Sequence, residues 1–139
     1  MNKSTKPFSI RPVVKADSDA WERLRCELWP DGCEDHREEI DAYFAGALVE
    51  PEAVFLAETA DGATIALMEL FVRTELAGYE GQRIGYVEGL YVVPAMRGSG
   101  AAEALVKYAK AWSQGKGCDG FASDRAGRLV IDVRYRELN

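Results

Sequence analysis

The segment 87–102 constrains the fold of this chain more than any other feature, because it joins an apolar strand to a glycine-rich loop and then to a helix. The strand runs to Pro94, and the loop contains Arg97, Gly98, Ser99 and Gly100. Small residues let backbone N–H groups approach an anion, and the start of a helix adds partial positive charge. The segment therefore predicts a site for a coenzyme diphosphate. A tight turn that binds nothing is the alternative.

The loop has neither the Gly-x-Gly-x-x-Gly nor the Gly-Lys-Ser/Thr spacing of the common nucleotide folds. Instead, a strand ending in Val-x-Pro and followed by Arg-x-x-Gly-x-Ala resembles the acetyl-coenzyme A motif of the Gcn5-related N-acetyltransferases. The resemblance implies acetyl-CoA as co-substrate, with its pantetheine arm in a gap between the strand ending at Pro94 and the one beginning at Cys118. The expected coenzyme-binding residues are Leu90, Tyr91, Val92, Val93, Arg97, Gly98, Ser99, Gly100, Ala101 and Ala102.

The composition is that of one globular domain, with 139 residues, 47% hydrophobic and 29% charged. The chain lacks an apolar run long enough to cross a membrane, and its N-terminus lacks an apolar signal core, so we expect a cytoplasmic protein without membrane contact. The formal charge of −6 disfavours nucleic acid and favours a cationic partner.

The cysteines and the histidine exclude several kinds of site. Cys26, Cys33 and Cys118 lack Cys-x-x-Cys spacing, and His36 is the only histidine. We therefore expect neither a disulfide framework nor a metal site. Nucleophilic catalysis by a Ser-His or Cys-His pair is likewise unsupported.

Hydrophobic periodicity and turn residues predict an α+β fold, a mixed and mostly antiparallel sheet flanked by helices. The predicted strands are 8–13, 54–58, 63–72, 84–93 and 118–124, with a single strand at 129–135. The predicted helices run from about Asp19 to Pro30, from 37 to 48 with Ile40, Phe44 and Leu48 on one face, and from 101 to 114. This is the element order of the acetyltransferase superfamily.

A narrower resemblance, to the aminoglycoside 6'-N-acetyltransferases, extends from about Ile10 to Asp124. The residues that carry it are Leu28-Trp29-Pro30, the strand 87–94, Gly115-Lys116-Gly117-Cys118, Ala122-Ser123-Asp124, Arg73 and the Tyr-x-Gly loop at Tyr79. It implies one N-acetyltransferase domain over residues 1–139, an aminoglycoside substrate, a role in antibiotic resistance and a homodimer. The tail 125–139 departs from the family, which continues with a helix, a Leu-Gly-Phe turn and a last strand.

The expected reaction is direct attack of an amine on the acetyl-CoA thioester in a ternary complex. Glu88 is the candidate base, expected on the same strand face as Leu90 and Val92 and buried there. A structural carboxylate paired with Arg73 or Arg83 is the alternative. Asp124 matches the family aspartate, and the resemblance implies that it helps to bind the aminoglycoside and shares the catalytic role of base with Glu88; a loop cap is its alternative.

The reaction has two further requirements, hydrogen-bond donors for the developing oxyanion and an acid that protonates the leaving thiolate. The N–H groups of Val92 or Val93 are the expected oxyanion donors. The superfamily resemblance also implies a tyrosine that protonates the leaving thiolate, and Tyr135 is the candidate for it, although its position after Asp124 is not that of the family.

A cationic acceptor needs an acidic and aromatic cleft. The candidate residues are Trp29, Glu69 and Tyr79, together with Glu88, Asp124 and the acidic loop Asp31, Glu34 and Asp35. An ordinary core position for Trp29 and solvated charges for the loop are the alternatives.

Three other functions stay open from the sequence. These alternatives are an acetyltransferase of another cationic amine, a truncated non-catalytic acyl-CoA-binding domain, and a structural α+β module. Coenzyme binding and turnover on a panel of amines separate them.

Overall fold

Six strands form one sheet in the order in which they occur along the chain, in a computed structural model that describes residues 8–125 and 128–135. They are β1 (Phe8–Pro12), β2 (Ala53–Thr59), β3 (Thr64–Arg73), β4 (Ile84–Val92), β5 (Gly120–Arg125) and β6 (Arg128–Arg134). All neighbours are antiparallel except β4 and β5, which are parallel. The predicted mixed, mostly antiparallel sheet is confirmed.

Three helices cover the two faces of this sheet. They are α1 (Ser18–Leu28), α2 (Cys33–Phe44) and α3 (Ala101–Gly115), and short 3-10 turns occur at Lys15–Asp17 and Pro94–Met96. The α3 helix makes the crossover that the parallel pair β4–β5 requires. Within the described ranges, no helix is both long and apolar enough to cross a membrane.

The middle strands β2 and β3 are apolar over most of their length because both faces of the sheet are covered. On β2, Val54 and Leu56 pack in one layer with Trp21 of α1. Phe55 and Ala57, which alternate with them along the strand, pack in the opposite layer with Leu105 of α3. Successive residues of one strand thus supply two separate cores.

The second helix differs from the prediction at both ends. It begins at Cys33, and not at residue 37, because Glu34 and Asp35 occupy its first turn, where the helix dipole favours negative charge. It ends at Phe44 because Gly46 has a φ of +74°, which L side chains rarely adopt. Ile40 is fully buried as predicted, whereas Leu48 lies beyond the helix and is exposed.

The cysteines also differ from the prediction. A disulfide joins Cys26 near the end of α1 to Cys33 at the start of α2. The tight connection between the two packed helices brings the two Cα atoms to 5.0 Å, a closeness that linear spacing does not reveal. Cys118 is a free, buried thiol. Among the described residues, no group of His, Cys, Asp and Glu side chains has an arrangement suited to a metal ion.

A buried charged cluster ties α1 to the sheet. Glu69 of β3 is 1% exposed, and its carboxylate accepts hydrogen bonds from Trp21 Nε1 at 2.8 Å and Arg25 Nε at 2.7 Å. Arg25 also pairs with Glu39 at the surface. Burial opposes the charge on Arg25, but Glu69 and Glu39 outweigh it and raise the pKa of the guanidinium.

Replacing Glu69 with alanine should leave Arg25 and the Trp21 indole N–H without their shared partner in the interior. We expect E69A to lower the free energy of unfolding by about 3–5 kcal/mol, the cost of breaking a buried ion pair. E39A removes the exposed partner of the same arginine and should cost less than about 1 kcal/mol. Urea denaturation monitored by tryptophan fluorescence measures both, and equal losses would contradict a buried structural role for Glu69.

Candidate active site

The parallel pairing of β4 with β5 stops partway along β4. The last paired residues are Val87 and Ser123, although β4 continues to Val92 and β5 to Arg125. Residues 88–92 therefore have an open backbone edge on the side of β5. This is the divergence of strands that the family resemblance implies.

Hydrogen bonds at the end of β4 fix which backbone groups face the gap. The N–H of Val93 donates to the carbonyl of Ile65 on β3 at 2.9 Å, so it is already used. Because successive residues of a strand direct their N–H groups to opposite sides, the N–H of Val92 faces the gap. The Val92 carbonyl also faces outward, where it accepts a hydrogen bond from Arg97 Nε at 2.8 Å. Of the two expected oxyanion donors, only the N–H of Val92 is directed to the gap.

The glycine-rich loop and the start of α3 form a cleft of about 430 Å³ beside this edge. Gly100 precedes the helix with a φ of +93°, and no described side chain caps the first turn. The N–H groups of that turn therefore lack carbonyl partners within the helix. The cleft is lined by Val92, Met96, Arg97, Gly98, Gly100, Ala101, Ala102 and Glu103. Arg97, the uncapped turn and the glycine backbone suit an anion such as a diphosphate.

Four expected coenzyme residues do not line this cleft. Leu90 packs in the apolar layer beneath α3, and Val93 is partly buried. The Tyr91 hydroxyl donates to Glu27 of α1 at 2.7 Å, and the Ser99 N–H donates to the Met96 carbonyl at 3.2 Å. Met96 and Glu103, which no sequence motif singled out, also line the cleft, from the turn before the loop and from the first turn of α3.

A β-bulge lies at Glu88. Glu69 and Leu70 of β3 are consecutive, but they pair with Gly89 and Val87, so Glu88 is an extra residue on β4. Val87 shares the apolar layer beneath α3 with Leu90 and Val92, while Glu88 lines a cavity with Tyr86. The expectation that Glu88 shares a face with Leu90 and Val92 is therefore wrong, because the bulge breaks the two-residue alternation.

The cavity that Glu88 lines lies on the sheet face that carries α1 and α2. Its volume is about 630 Å³, and acidic side chains outnumber basic ones around it. The lining residues are Glu50, Val72, Arg73, Thr74, Glu75, Leu76, Ala77, Tyr86 and Glu88. Such a cavity favours a cationic guest.

Glu88 is not buried as expected. Its side chain is 37% exposed, and one carboxylate oxygen accepts a hydrogen bond from Arg73 at 2.7 Å. The bulge directs the carboxylate to the cavity and away from the core beneath α3. The ion pair with Arg73, which the sequence left open as an alternative role, is present.

Asp124 lies at the exposed end of β5 and is linked to Glu88 through Tyr86. Burial raises the pKa of the Tyr86 phenol, and the charge of Asp124 and a hydrogen bond to it raise it further. Glu88 adds a smaller increase, while Arg73 opposes it. The two acidic side chains singled out from the sequence are thus neighbours of one tyrosine.

The structure corrects the expectation that Glu69 binds the acceptor. Its carboxylate is enclosed in the sheet interior and satisfied by Trp21 and Arg25. The sequence contained a signal for this, since Glu69 falls within a continuous apolar run on a strand buried on both faces.

Trp29 and Tyr79 do not line the cavity that contains Glu88. The Trp29 ring is half-buried against Gly89, where an added Cβ would come within 2.7 Å of it. The Tyr79 hydroxyl accepts a hydrogen bond from Arg134 of β6 at 2.8 Å, and the same guanidinium lies over its ring. In the acidic loop, Asp31, Glu34 and Asp35 are exposed.

Tyr135 does not face the gap between β4 and β5. Its hydroxyl donates to the carbonyl of Lys110 on α3, and burial raises its pKa to about 12. The expectation that Tyr135 protonates the leaving thiolate is wrong, because the hydroxyl proton is engaged by the backbone of the helix.

Comparison with known proteins agrees with this geometry. The model of the acetyltransferase (GNAT) family matches residues 18–128. The chain is 42% identical over 116 residues to an aminoglycoside N(6')-acetyltransferase type 1 of Klebsiella aerogenes, covering 83% of this chain and 76% of that one.

Solved structures give the same result. The fold is similar to that of the aminoglycoside antibiotic 6'-N-acetyltransferase AAC(6')-Ih from Acinetobacter baumannii, with a TM-score of 0.73, 31% identity and coverage of 86% and 80% of the two chains. It is also similar to AAC(6')-Iy in complex with the bisubstrate analogue CoA-S-monomethyl-acetylneamine, with a TM-score of 0.69, 30% identity and coverage of 86% and 80%.

Proposed function

The chain belongs to the acetyltransferase (GNAT) family, and we propose that it transfers the acetyl group of acetyl-CoA to the 6'-amine of an aminoglycoside antibiotic. One observation carries the proposal. A cleft suited to a diphosphate and an acid-lined cavity lie at the same open stretch of β4, where Val92 lines the first and Glu88 the second. The names of the similar proteins supply the acceptor class and the outcome, resistance to the antibiotic.

The residues of the first cleft hold the coenzyme. Arg97 and the backbone N–H groups around Gly98 and Gly100 bind the diphosphate, and the open edge of β4 hydrogen-bonds the pantetheine arm. Acetyl-CoA supplies an activated acyl group as its thioester. The N–H of Val92 is directed to the gap and stabilises negative charge on the thioester carbonyl oxygen.

The residues of the second cavity hold the acceptor. Glu88 binds the ammonium of the amine to be acetylated and accepts its proton, directly or through water. Asp124, held by Tyr86, binds a further cationic group of the acceptor. Placing amine and thioester together across the gap lowers the barrier by removing translational and rotational freedom beforehand.

The remaining sequence expectations stand as parts of the same proposal. The chain is one N-acetyltransferase domain that works in the cytoplasm. It forms a homodimer. The outer edge of β6 supports this, because β6 is an edge strand among the residues that the structure describes, and an edge strand can pair its N–H and C=O groups with a second copy.

The function is tested by measuring thiol release from acetyl-CoA with kanamycin or tobramycin as acceptor, with calorimetry of acetyl-CoA binding alongside. We expect turnover with the aminoglycosides. Acetyl-CoA binding without turnover on any amine would indicate a non-catalytic acyl-CoA-binding domain. Turnover restricted to other cationic amines, such as polyamines, would overturn the acceptor class and keep the reaction.

Replacing Gly100 with alanine should weaken coenzyme binding. Apart from its chain neighbours, a Cβ at this position meets no atom of the described residues within 4 Å, so it enters open space in the cleft, where it would meet the diphosphate. We expect the Kd of acetyl-CoA, measured by calorimetry, to rise at least about tenfold. The substitution also strains the backbone, by about 1–2 kcal/mol, because alanine disfavours a positive φ. Gly62, in the β2–β3 turn, has a similar φ of +90° and equally free surroundings. G62A is the matched control and should leave the Kd unchanged; an unchanged Kd in G100A would refute this diphosphate site.

Replacing the two acidic residues should affect turnover more than coenzyme binding. We expect E88Q to lower kcat by about 10²-fold or more, the usual contribution of a general base. D124N should raise the KM of the aminoglycoside, since a charge that binds the acceptor is lost. Both variants should keep the Kd of acetyl-CoA within about twofold of the parent, because binding through backbone groups and Arg97 is retained.

E80Q is the control for both variants, because Glu80 is an exposed acid near the cavity that does not line it. It should leave kcat and both KM values unchanged. A loss of acetyl-CoA affinity in E88Q and D124N equal to that in G100A would contradict the assigned roles.

A further inference from the structure

A cation already sits on the carboxylate that our proposed function assigns to the substrate ammonium. Arg73 Nη2 lies 2.7 Å from Glu88 Oε1, and both side chains line the acid-rich cavity. The guanidinium carbon lies 5.1 Å from the centre of the Phe71 ring and 5.0 Å from that of Tyr86. Arg73 thus occupies a position bounded by a carboxylate and two aromatic rings, groups that also suit an alkylammonium.

The Arg73–Glu88 pair is weak enough to open. The two side chains are 34% and 37% exposed. Ion pairs exposed to this degree favour the paired over the open form by at most about fivefold. Because the guanidinium also contacts Phe71 and Tyr86, it can leave Glu88 while remaining on the sheet surface. Glu50 and Glu75 line the same cavity and offer it other carboxylates.

We propose that Arg73 occupies the ammonium subsite of Glu88 in the free protein, so that acceptor binding exchanges its guanidinium for a substrate ammonium. The inference rests on the proposed function. The exchange lowers the apparent affinity for every acceptor by the fraction of protein in which Glu88 is paired.

The test is calorimetric titration of kanamycin into the full chain and its Arg73 variants. R73Q should bind kanamycin about two- to fivefold more tightly than the parent, because the competing cation is lost. R73K keeps a cation that can pair with Glu88, so its Kd should stay within about twofold of the parent. Circular dichroism melting of each variant shows that it is folded before titration.

Two controls separate exchange at Glu88 from a general change of charge. R83Q removes an exposed arginine just before β4 that does not line the cavity, and it should leave the Kd of kanamycin unchanged. In an E88Q background, R73Q should have no effect, since the carboxylate for which the two cations compete is gone.

Each outcome bears on one of the two proposals. An unchanged or weaker Kd in R73Q, an equal gain in R83Q, or a gain that persists beside E88Q would overturn the role of Arg73 and leave the acetyltransferase proposal intact. Absence of kanamycin binding to the parent chain would overturn the proposed acceptor, and the role of Arg73 with it.

Discussion

The extra residue at Glu88 interrupts the regular pairing of β3 with β4 near the centre of the sheet, and the placement of the Glu88 carboxylate depends on that interruption. A regular β3–β4 pair would keep Glu88 on the face of Leu90 and Val92, under α3. The bulge instead turns its carboxylate to the other face, beside Val87, the last residue of β4 that pairs with β5. A backbone edge and a carboxylate are thereby available at one place.

The two clefts have opposite electrostatic character, and the sheet separates them. Arg97 and the uncapped start of α3 attract an anion on one face. Glu50, Glu75 and Glu88 attract a cation on the other. The chain as a whole carries a formal charge of −6, which repels an anionic coenzyme. Binding of the coenzyme therefore relies on short-range hydrogen bonds from backbone N–H groups. Binding of a cationic acceptor is favoured in addition by the negative potential of the whole chain.

Patterns within single segments predicted most of the fold. The apolar runs of β2 to β4, the helix stop at Pro30 and the glycines before α3 each act through local geometry. The bulge was not predictable, because the register of two strands decides it jointly. The burial of Glu69 depends on Trp21 and Arg25, which are distant in sequence. An acid-rich first turn made the start of α2 resemble a loop.

The contact between Trp29 and Gly89 has a consequence for how this architecture varies among relatives. An indole on the α1 side fills the space in which a side chain at position 89 would lie. The two positions share one fixed volume across the loop and the strand. A larger residue at position 89 thus requires a smaller one at position 29, so the residues at these two positions should covary among relatives.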